Sequence, residues 1–397
     1  MVRIVFLGEF DAGKSTLIGR LLFDTGSISE ERKEEFLKVS KELGKSQEFA
    51  YLLDSFEEER KGEFTLDTTQ VFLKTKNREY LLIDVPGHKE LIKNMLTGTS
   101  YADKAILISD VEKPLEEQTQ RHLYLLKFLG IDEFIIVINK MDKVGFDKLS
   151  FDKSVKEIEY FLREMDLKPL AIIPISAQEG ENLISHSFKM DWYSGPSLLE
   201  AIEKFEIEKE KEKPLRFLVQ DIYFKKGKEI VLGRVISGKL NLGDDLKIAP
   251  EGGNCRVKKI VVFGKRKKEA REKESIGLIL DKKGIKRGQI LYKDLSPQIG
   301  FQFTARIFSL SSFSNLERFI FKSNVQESVC SIVKINEVLD PVFLRKKISQ
   351  EIKSNEVAEL ILKTEKPIVF ESFSNTEELG KFILYKDGKA LAVGIIP

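Results

Sequence analysis

The stretch at residues 8–16 constrains the fold of this chain most strongly. It reads Gly-Glu-Phe-Asp-Ala-Gly-Lys-Ser-Thr and fits the phosphate-binding loop G-x-x-x-x-G-K-[ST] at every fixed position. A β-branched and aromatic run precedes it at residues 3–7, and helical apolar spacing follows at residues 16–22, so the loop joins a strand to a helix. Backbone N–H groups can then surround a phosphate at the positive end of the helix dipole. We expect phosphate contacts from Gly8, Glu9, Phe10, Asp11, Ala12, Gly13, Lys14, Ser15 and Thr16.

Side chains of this loop and of a later segment predict how the outer phosphates and a metal ion are held. Lys14 would reach the outer phosphates, and Ser15 would offer its hydroxyl to Mg²⁺, which prefers oxygen ligands. A charged run at residues 54–65 ends on Thr65, which could bring a second hydroxyl to the metal and the γ-phosphate. We therefore predict Lys14 and Thr65 as catalytic residues, with Ser15 and Thr65 as metal ligands.

A second motif follows the apolar run at residues 80–83 and reads Asp84-Val85-Pro86-Gly87-His88. Asp84, at the end of a strand, could hold Mg²⁺ through water, and the N–H of Gly87 could approach the γ-phosphate. His88 stands where an attacking water would lie, which makes it the third predicted catalytic residue. We assign all five residues of this motif to the nucleotide site.

Two further segments select the base. The strand-like residues 134–138 lead into Asn139-Lys140-Met141-Asp142, and residues 172–175 lead into Ser176-Ala177. A carboxylate accepts two parallel hydrogen bonds from the N1–H and N2–H₂ of guanine, which adenine cannot offer, so Asp142 predicts GTP. Asn139 would brace the loops, the Lys140 stem would pack over the base, and the Ala177 N–H could meet the guanine O6. The predicted cofactors are GTP and Mg²⁺.

Length and pattern predict several domains. At 397 residues the chain exceeds one ordinary core of about 150 residues. The four motifs each follow a strand, as in a doubly wound, mostly parallel sheet that binds its ligand at the carboxyl edge. This α/β P-loop GTPase domain is expected at residues 1–205, with a charged linker at 206–214. Short apolar strands broken by glycines then predict two β-barrels, at residues 215–296 and 297–397.

Charge and cysteine content exclude some functions and locations. The chain has 65 basic and 63 acidic residues and a net charge of +2, so its overall charge gives no argument for nucleic acid. The basic cluster Lys265–Lys268 could grip RNA, but acidic residues follow it closely, and we interpret it as a solvated surface. The two cysteines lie far apart in sequence and no apolar run could cross a membrane, which predicts a cytoplasmic protein without membrane contact.

Together the motifs resemble those of the translation-factor class of GTPases. The run at residues 192–200, Trp-Tyr-Ser-Gly-Pro-Ser-Leu-Leu-Glu, resembles the end of the GTPase domain in two members of that class. One is the archaeal and eukaryotic aminoacyl-tRNA elongation factor, and the other is the GTPase subunit of bacterial heterodimeric sulfate adenylyltransferase. The resemblance covers nearly the whole chain, and it implies a GTPase domain followed by two barrels.

The barrels differ in which relative they resemble. Residues 260–280 and 317–333 look more like the sulfate adenylyltransferase subunit, whereas residues 371–374, 379–382 and 392–394 look more like the elongation factor. We favour the first reading, in which GTP hydrolysis drives the formation of adenylyl sulfate from ATP and sulfate on a small catalytic partner subunit. The alternatives are an elongation factor, for which tRNA would be the partner, and a regulatory GTP-binding protein with little turnover.

Two aromatic residues depart from the pattern of this class. Related GTPases usually have an aliphatic residue at the position of Phe10, and Gly-Ile-Thr where this chain has Glu63-Phe64-Thr65. The resemblance implies that these two apolar side chains screen His88 from the γ-phosphate until a partner triggers the switch. Two Phe rings would make a larger screen, so we expect slow turnover in the absence of a partner.

Overall fold

The computed structural model describes residues 2–42, 49–50, 52, 69–84, 102–206, 213–225, 227–262 and 265–397. The chain forms two compact units, Met1–Ile207 and Glu208–Pro397. Five residues that the sequence assigns to the nucleotide site, Thr65, Val85, Pro86, Gly87 and His88, lie outside the described residues. No helix in the described ranges is long and apolar enough to cross a membrane.

The first unit is built on a mixed sheet. Its described strands are β1 (Val2–Gly8), β2 (Thr69–Lys74), β3 (Glu79–Asp84), β4 (Lys104–Asp110), β5 (Phe134–Asn139) and β6 (Ala171–Pro174). Their order is β2-β3-β1-β4-β5-β6, and all neighbours are parallel except β2 and β3. Strands β4 and β5 are buried along nearly their whole length, which explains their unbroken apolar sequences. The carboxyl ends of the parallel strands meet at one edge, where the sequence motifs lie.

Helices and one short turn cover this sheet. They are α1 (Lys14–Asp24), α2 (Glu30–Glu42), α3 (Glu117–Leu129), a 3₁₀ turn (Met141–Val144), α4 (Lys148–Glu164) and α5 (Leu198–Glu203). Local sequence fixes several of their ends. Asp147 caps α4 by accepting from the Ser150 N–H, and Ser197 with Glu200 forms a capping box at α5. Helix α3 ends at Gly130 in the left-handed conformation.

The second unit begins with a closed β-barrel. Its strands are β7 (Arg216–Lys225), β8 (Lys228–Ser237), β9 (Lys239–Asn241), β10 (Asp245–Ala249), β11 (Asn254–Val262), β12 (Lys265–Lys267), β13 (Glu269–Arg271), β14 (Ser275–Leu280) and β15 (Ile290–Tyr292). The order β10-β15-β7-β8-β14-β11 closes because β10 also pairs with β11. Strand β12 pairs with β11 outside this closed ring.

A second barrel follows with the same closure. Its elements are β16 (Gln298–Ser309), β17 (Phe313–Ser314), β18 (Arg318–Ser323), β19 (Gln326–Asp340), β20 (Arg345–Lys347), β21 (Glu351–Ile352), β22 (Val357–Phe370), α6 (Glu377–Gly380), β23 (Lys381–Lys386) and β24 (Lys389–Ile395). The order β18-β23-β24-β16-β22-β19 closes through pairing of β18 with β19, and β20 is appended to β19. The predicted fold class, a P-loop GTPase domain followed by two β-barrels, is therefore confirmed.

The two barrels pack on each other through both apolar and charged groups. Leu218 and Ile236 of the first barrel share a buried cluster with Val369 and Leu379 of the second. Beside them, Arg216 forms an ion pair with Glu371 at 2.6 Å, and the Arg216 side chain is only 1% exposed. The predicted division of this unit at residues 296–297 stays a prediction.

Candidate nucleotide site

The phosphate loop is shaped by two glycines that no other residue could replace without a clash. Gly8 ends β1, and a Cβ at this position would lie 2.5 Å from the carbonyl oxygen of Ile108 in β4. Gly13 has φ +90°, a left-handed conformation that favours glycine, and its Cβ would lie 2.5 Å from Nδ2 of Asn139. The loop is therefore pressed against the neighbouring strand end and against the loop that follows β5.

The start of α1 offers backbone donors to an anion. Gly13 at the N-cap has no side chain to cap α1, and the first turn of α1 contains no acidic residue. The first helical bond runs from the Leu17 N–H to the Gly13 carbonyl at 2.9 Å. N–H groups of the first helical turn have no partner within the helix, so this end is suited to a phosphate.

The side chain of Lys14 folds back over the phosphate loop. Its Nζ donates to the carbonyl oxygens of Gly8 and Glu9, at 3.0 Å and 2.9 Å. Burial lowers the pKa of Lys14, and the negative charges of Asp84, Glu9 and Asp11 act against that shift. The ammonium group therefore lies over the loop backbone, bonded to two carbonyls and near three carboxylates.

Asn139 joins the phosphate loop to the last loop of the site. Its Nδ2 donates to the Ala12 carbonyl at 2.8 Å, and its Oδ1 accepts from the Ala177 N–H at 2.9 Å. The side chain is only 2% exposed, and both of its polar atoms are used. The sequence predicted a contact between the Ala177 N–H and the guanine O6; here that N–H holds Asn139, and the contact with guanine stays a prediction.

The carboxylate of Asp142, which the sequence predicts to select guanine, is held by a neighbouring hydroxyl. Ser176 donates through Oγ to Oδ1 of Asp142 at 2.5 Å, and the Ser176 Oγ also accepts from the Glu179 N–H at 3.2 Å. The Met141 N–H donates to the Ile175 carbonyl at 3.1 Å. These bonds fix the loops that follow β5 and β6 relative to each other.

Lys140 takes a position that the sequence did not anticipate. Its backbone is left-handed, with φ 64°, and its Nζ pairs with Asp110 Oδ2 at the end of β4, at 2.6 Å. The predicted packing of its stem over the base stays a prediction. Phe10 points away from the protein and is 90% exposed, whereas Ala12 in the same loop is buried.

Two site residues were missed because their contacts are remote in sequence. Arg20 in α1 donates to the Gln178 carbonyl at 2.9 Å and to Asp24 at 2.8 Å, which links α1 to the loop carrying Ser176 and Ala177. Gln118 in α3 contacts the phosphate loop. Neither residue belongs to a local motif, so only the knowledge that both segments meet at the carboxyl edge of the sheet could have suggested them.

The described residues fit a magnesium nucleotide. The uncapped first turn of α1 and the Lys14 ammonium suit polyphosphate, and the Ser15 hydroxyl and Asp84 carboxylate are the oxygen donors that Mg²⁺ prefers. Mg²⁺, when bound with the nucleotide, would neutralise part of the phosphate charge. The base contacts predicted for Asn139 and Asp142 stay predictions. Thr65 and His88 lie outside the described residues, so their roles stay predictions.

Comparison with known proteins identifies three family segments in the chain. The elongation factor Tu GTP-binding domain matches residues 1–208, elongation factor Tu domain 2 matches 228–292, and the GTP-eEF1A C-terminal domain-like family matches 302–397. GTPase activity with GTP and Mg²⁺ follows from the first of these families.

Relatives match the chain over its full length. Elongation factor 1-alpha of Methanocaldococcus jannaschii is 33% identical and covers 100% of this chain and 96% of its own length. The same factor from Archaeoglobus fulgidus is 33% identical and that from Pyrococcus furiosus 35%, each over 100% of this chain and 97% of its own length. The solved structure of sup35 with GDP covers 100% of this chain and 93% of its own, with 24% identity and a TM-score of 0.45.

These relatives overturn the reading favoured by the sequence. The hypothesis that this chain is the GTPase subunit of sulfate adenylyltransferase, with a small catalytic subunit as its partner, is wrong. The relatives that match the full chain are named elongation factor 1-alpha. The expectation that nucleic acid is an unlikely partner, which also rested on the small net charge and on the acidic residues near Lys265–Lys268, is withdrawn as well. The described part of residues 260–280, one of the runs that suggested it, lies mostly in the barrel strands β11 to β14. Strand patterns of this kind recur in barrels of different function. The chain belongs to the elongation factor Tu and elongation factor 1-alpha family of translation-factor GTPases.

Proposed function

We propose that this protein is a translation elongation factor that carries aminoacyl-tRNA in its GTP-bound form. The observation that carries the proposal is the match to elongation factor 1-alpha over the whole chain, including both barrels. A GTPase domain alone would leave the function open, since many functions share that domain. Work of this kind takes place in the cytoplasm, which is the location we propose.

Two exposed basic strands support tRNA as the partner. Strand β12 consists of Lys265, Arg266 and Lys267, and strand β20 of Arg345, Lys346 and Lys347; all six side chains are exposed. Each strand is appended to the outside of a closed barrel. Cationic side chains on an open edge can approach the phosphates of a nucleic acid backbone and release its counterions.

Acidic neighbours neutralise only part of this charge. Lys267 pairs with Glu274, and Lys346 and Lys347 pair with Glu337 and Glu356, at 3.1 Å and 2.5 Å. Among the described residues, Lys265 and Arg266 have no acidic side chain within ion-pair distance. These two cations remain available for phosphate, so the interpretation of Lys265–Lys268 as a solvated surface gives way to a role in RNA binding.

Within the nucleotide site we propose the following division of work. Lys14 and the first turn of α1 bind the phosphates, and Ser15, Thr65 and Asp84, the last through water, hold Mg²⁺. Asn139 and Asp142 select guanine. His88 orients and polarises the attacking water.

Binding measurements with charge-reversal variants test the tRNA surface. The affinity for aminoacyl-tRNA is measured at several salt concentrations with a non-hydrolysable GTP analogue, for the wild type and for Lys265→Glu with Arg266→Glu. The matched control reverses Arg318 and Lys322, which lie in the same unit but already pair with Glu365 and Glu327.

We expect Lys265→Glu with Arg266→Glu to bind aminoacyl-tRNA more weakly. The slope of log affinity against log salt concentration should become shallower by about two, because each lost phosphate contact reduces it by about one. The control should stay close to the wild type. Equal weakening of both variants would show that the effect comes from overall charge and not from β12. If the wild type did not bind aminoacyl-tRNA, the proposed function would be wrong.

A further inference from the structure

Glu9 of the phosphate loop reaches across the site to the start of α3. Its Oε1 accepts from the backbone N–H of Gln118 at 3.0 Å, a residue 109 positions later. Glu116, the N-cap residue of α3, makes no side-chain capping bond. A carboxylate near a helix N-terminus satisfies free N–H groups and the positive dipole. The phosphate loop therefore supplies the cap that α3 lacks.

The main chain of the phosphate loop is held at Gly8 by side chains from both α1 and α3. The Gly8 carbonyl accepts from Nζ of Lys14 at 3.0 Å and from Nε2 of Gln118 at 3.4 Å. Lys14 also donates to the Glu9 carbonyl at 2.9 Å. A rotation of the peptide between residues 8 and 9 would break both bonds to the Gly8 carbonyl together. The orientation of this peptide is thus tied to the position of α3.

The charge of Glu9 is unexpected in a loop that surrounds phosphates. Burial and the neighbouring Glu116 raise the pKa of Glu9, and the N–H groups of Gln118 and Thr119 and the Lys14 ammonium act in the opposite direction. A negative charge here repels a bound polyphosphate. Its position at the α3 terminus offers a compensating interaction that a neutral, shorter side chain would not provide.

We propose that Glu9 is a positioning residue which clamps the phosphate loop to α3 and thereby slows the release of guanine nucleotide. The clamp acts through the loop backbone, and it makes the start of α3 a point from which nucleotide affinity can be changed. The proposal concerns nucleotide affinity and does not depend on tRNA as the partner.

The test compares Glu9→Ala and Glu9→Gln with the control Glu116→Gln. Glu116 lies at the same helix end and bears the same charge, but its side chain does not cap α3. GDP dissociation is followed with a fluorescent nucleotide, and the KM and kcat for GTP are determined separately. Hydrogen exchange at residues 118 and 119 is measured in nucleotide-free protein, and thermal unfolding is recorded for every variant.

We expect Glu9→Ala to accelerate GDP release by about fivefold, the effect of losing a helix cap, and to raise KM more than it lowers kcat. Exchange at residues 118 and 119 should become faster even without nucleotide. Glu9→Gln keeps an acceptor oxygen and should fall between Glu9→Ala and the wild type. Glu116→Gln removes only a repulsion on the Glu9 carboxylate and should accelerate neither GDP release nor exchange at residues 118 and 119.

Two results would overturn the clamp. The first is GDP release from Glu9→Ala at the wild-type rate or more slowly, which would mean that the charge of Glu9 only repels the phosphates. The second is unchanged exchange at residues 118 and 119 combined with a general loss of thermal stability. That combination would assign Glu9 a role in folding alone.

Discussion

At the scale of single residues, Asn139 and Asp142 differ in how the protein uses their polar atoms. Asn139 is buried and uses both polar atoms on the protein itself. Asp142 is only partly buried, and the Ser176 hydroxyl holds its carboxylate in place. A fixed carboxylate discriminates strongly because a ligand without matching donors leaves it unpaired. Asp142 is therefore the residue whose substitution should change the preferred base.

Asp142→Asn should weaken GTP binding by about 100-fold or more and shift the preference toward xanthine nucleotides, because an amide donor would face the guanine N1–H. Titrations with fluorescent nucleotides measure both affinities. Asp152→Asn, on the exposed side of α4 with Lys148 as its partner, is the matched control. Equal affinity of the wild type for ATP and GTP would refute the guanine assignment.

His88→Ala should slow single-turnover hydrolysis by about 100-fold or more while GTP binding stays nearly intact. The reason is that the imidazole acts on the attacking water and not on the bound nucleotide. His186→Ala provides the control, since this exposed histidine lies beside Glu200. An unchanged rate in His88→Ala would remove the histidine from the reaction.

Phe10→Ala combined with Phe64→Ala should raise the rate of partner-free hydrolysis several-fold. Phe10 is 90% exposed, so its removal costs the fold little packing. The double variant would remove both side chains of the screen that the resemblance implies for His88. Phe188→Ala removes an equally exposed ring elsewhere in the same unit and should leave the rate unchanged. A double variant that hydrolyses GTP no faster on its own would show that the rings do not restrain turnover.

At the scale of elements, a buried ion pair fixes β7 to the turn that follows β22. Arg216 donates to Oε1 of Glu371 through Nε at 3.0 Å and Nη2 at 2.6 Å, and through Nη1 to the Leu215 carbonyl at 2.9 Å. Thr376 donates to the other Glu371 oxygen at 2.5 Å. Both oxygens of the Glu371 carboxylate accept hydrogen bonds. These bonds offset most of the cost of burying the two charges where the barrels meet.

Glu371→Ala should lower the free energy of unfolding by about 3–5 kcal/mol, because it leaves the buried Arg216 charge without its partner. Glu365→Ala, which breaks the exposed pair with Arg318, should cost at most about 1 kcal/mol. Urea denaturation of the full chain gives both values. Similar losses in the two variants would mean that the inter-barrel pair contributes no more than a surface contact.

The sequence predicted the central elements of the first unit well because their burial is continuous. The run at residues 134–138 lies in β5, which is buried at every position, and the apolar spacing of α3 matches its bounds Glu117–Leu129. The motifs at residues 8–16, 139–142 and 176–177 also lie at the ends of β1, β5 and β6, as predicted. Local pattern was sufficient in these segments because each motif follows its strand directly.

Local pattern failed where neighbouring strands decide the structure. The sequence predicts separate strands at residues 358–362 and 368–370, but one strand, β22, spans Val357–Phe370. At its polar middle, Lys363 pairs with β16 and β19, Thr364 pairs with β19 alone, and the Lys366 N–H donates to Oγ of Ser328 at 3.0 Å. These tertiary contacts override the weak β propensity of the segment. Strand β24 was not predicted as a strand because it is rich in small residues. Its Gly394 is required, since a Cβ there would lie 2.2 Å from the Phe382 ring.

At the scale of the whole molecule, the small net charge does not reveal the local basic surface that we propose binds tRNA. Basic and acidic residues nearly cancel over the chain, yet β12 and β20 present local basic edges. Association with a polyanion depends on such local fields and not on net charge alone. The full-length match to elongation factor 1-alpha and these edges lead to the same proposal, aminoacyl-tRNA binding controlled by GTP.

The most direct test of this proposal is the rate at which the aminoacyl ester of tRNA hydrolyses in the presence of the protein. We predict that the protein with a GTP analogue slows ester hydrolysis, that the protein with GDP does so far less, and that Lys14→Ala loses the difference because it removes the phosphate-loop ammonium. An equal hydrolysis rate with GTP analogue, with GDP and without protein would contradict the account.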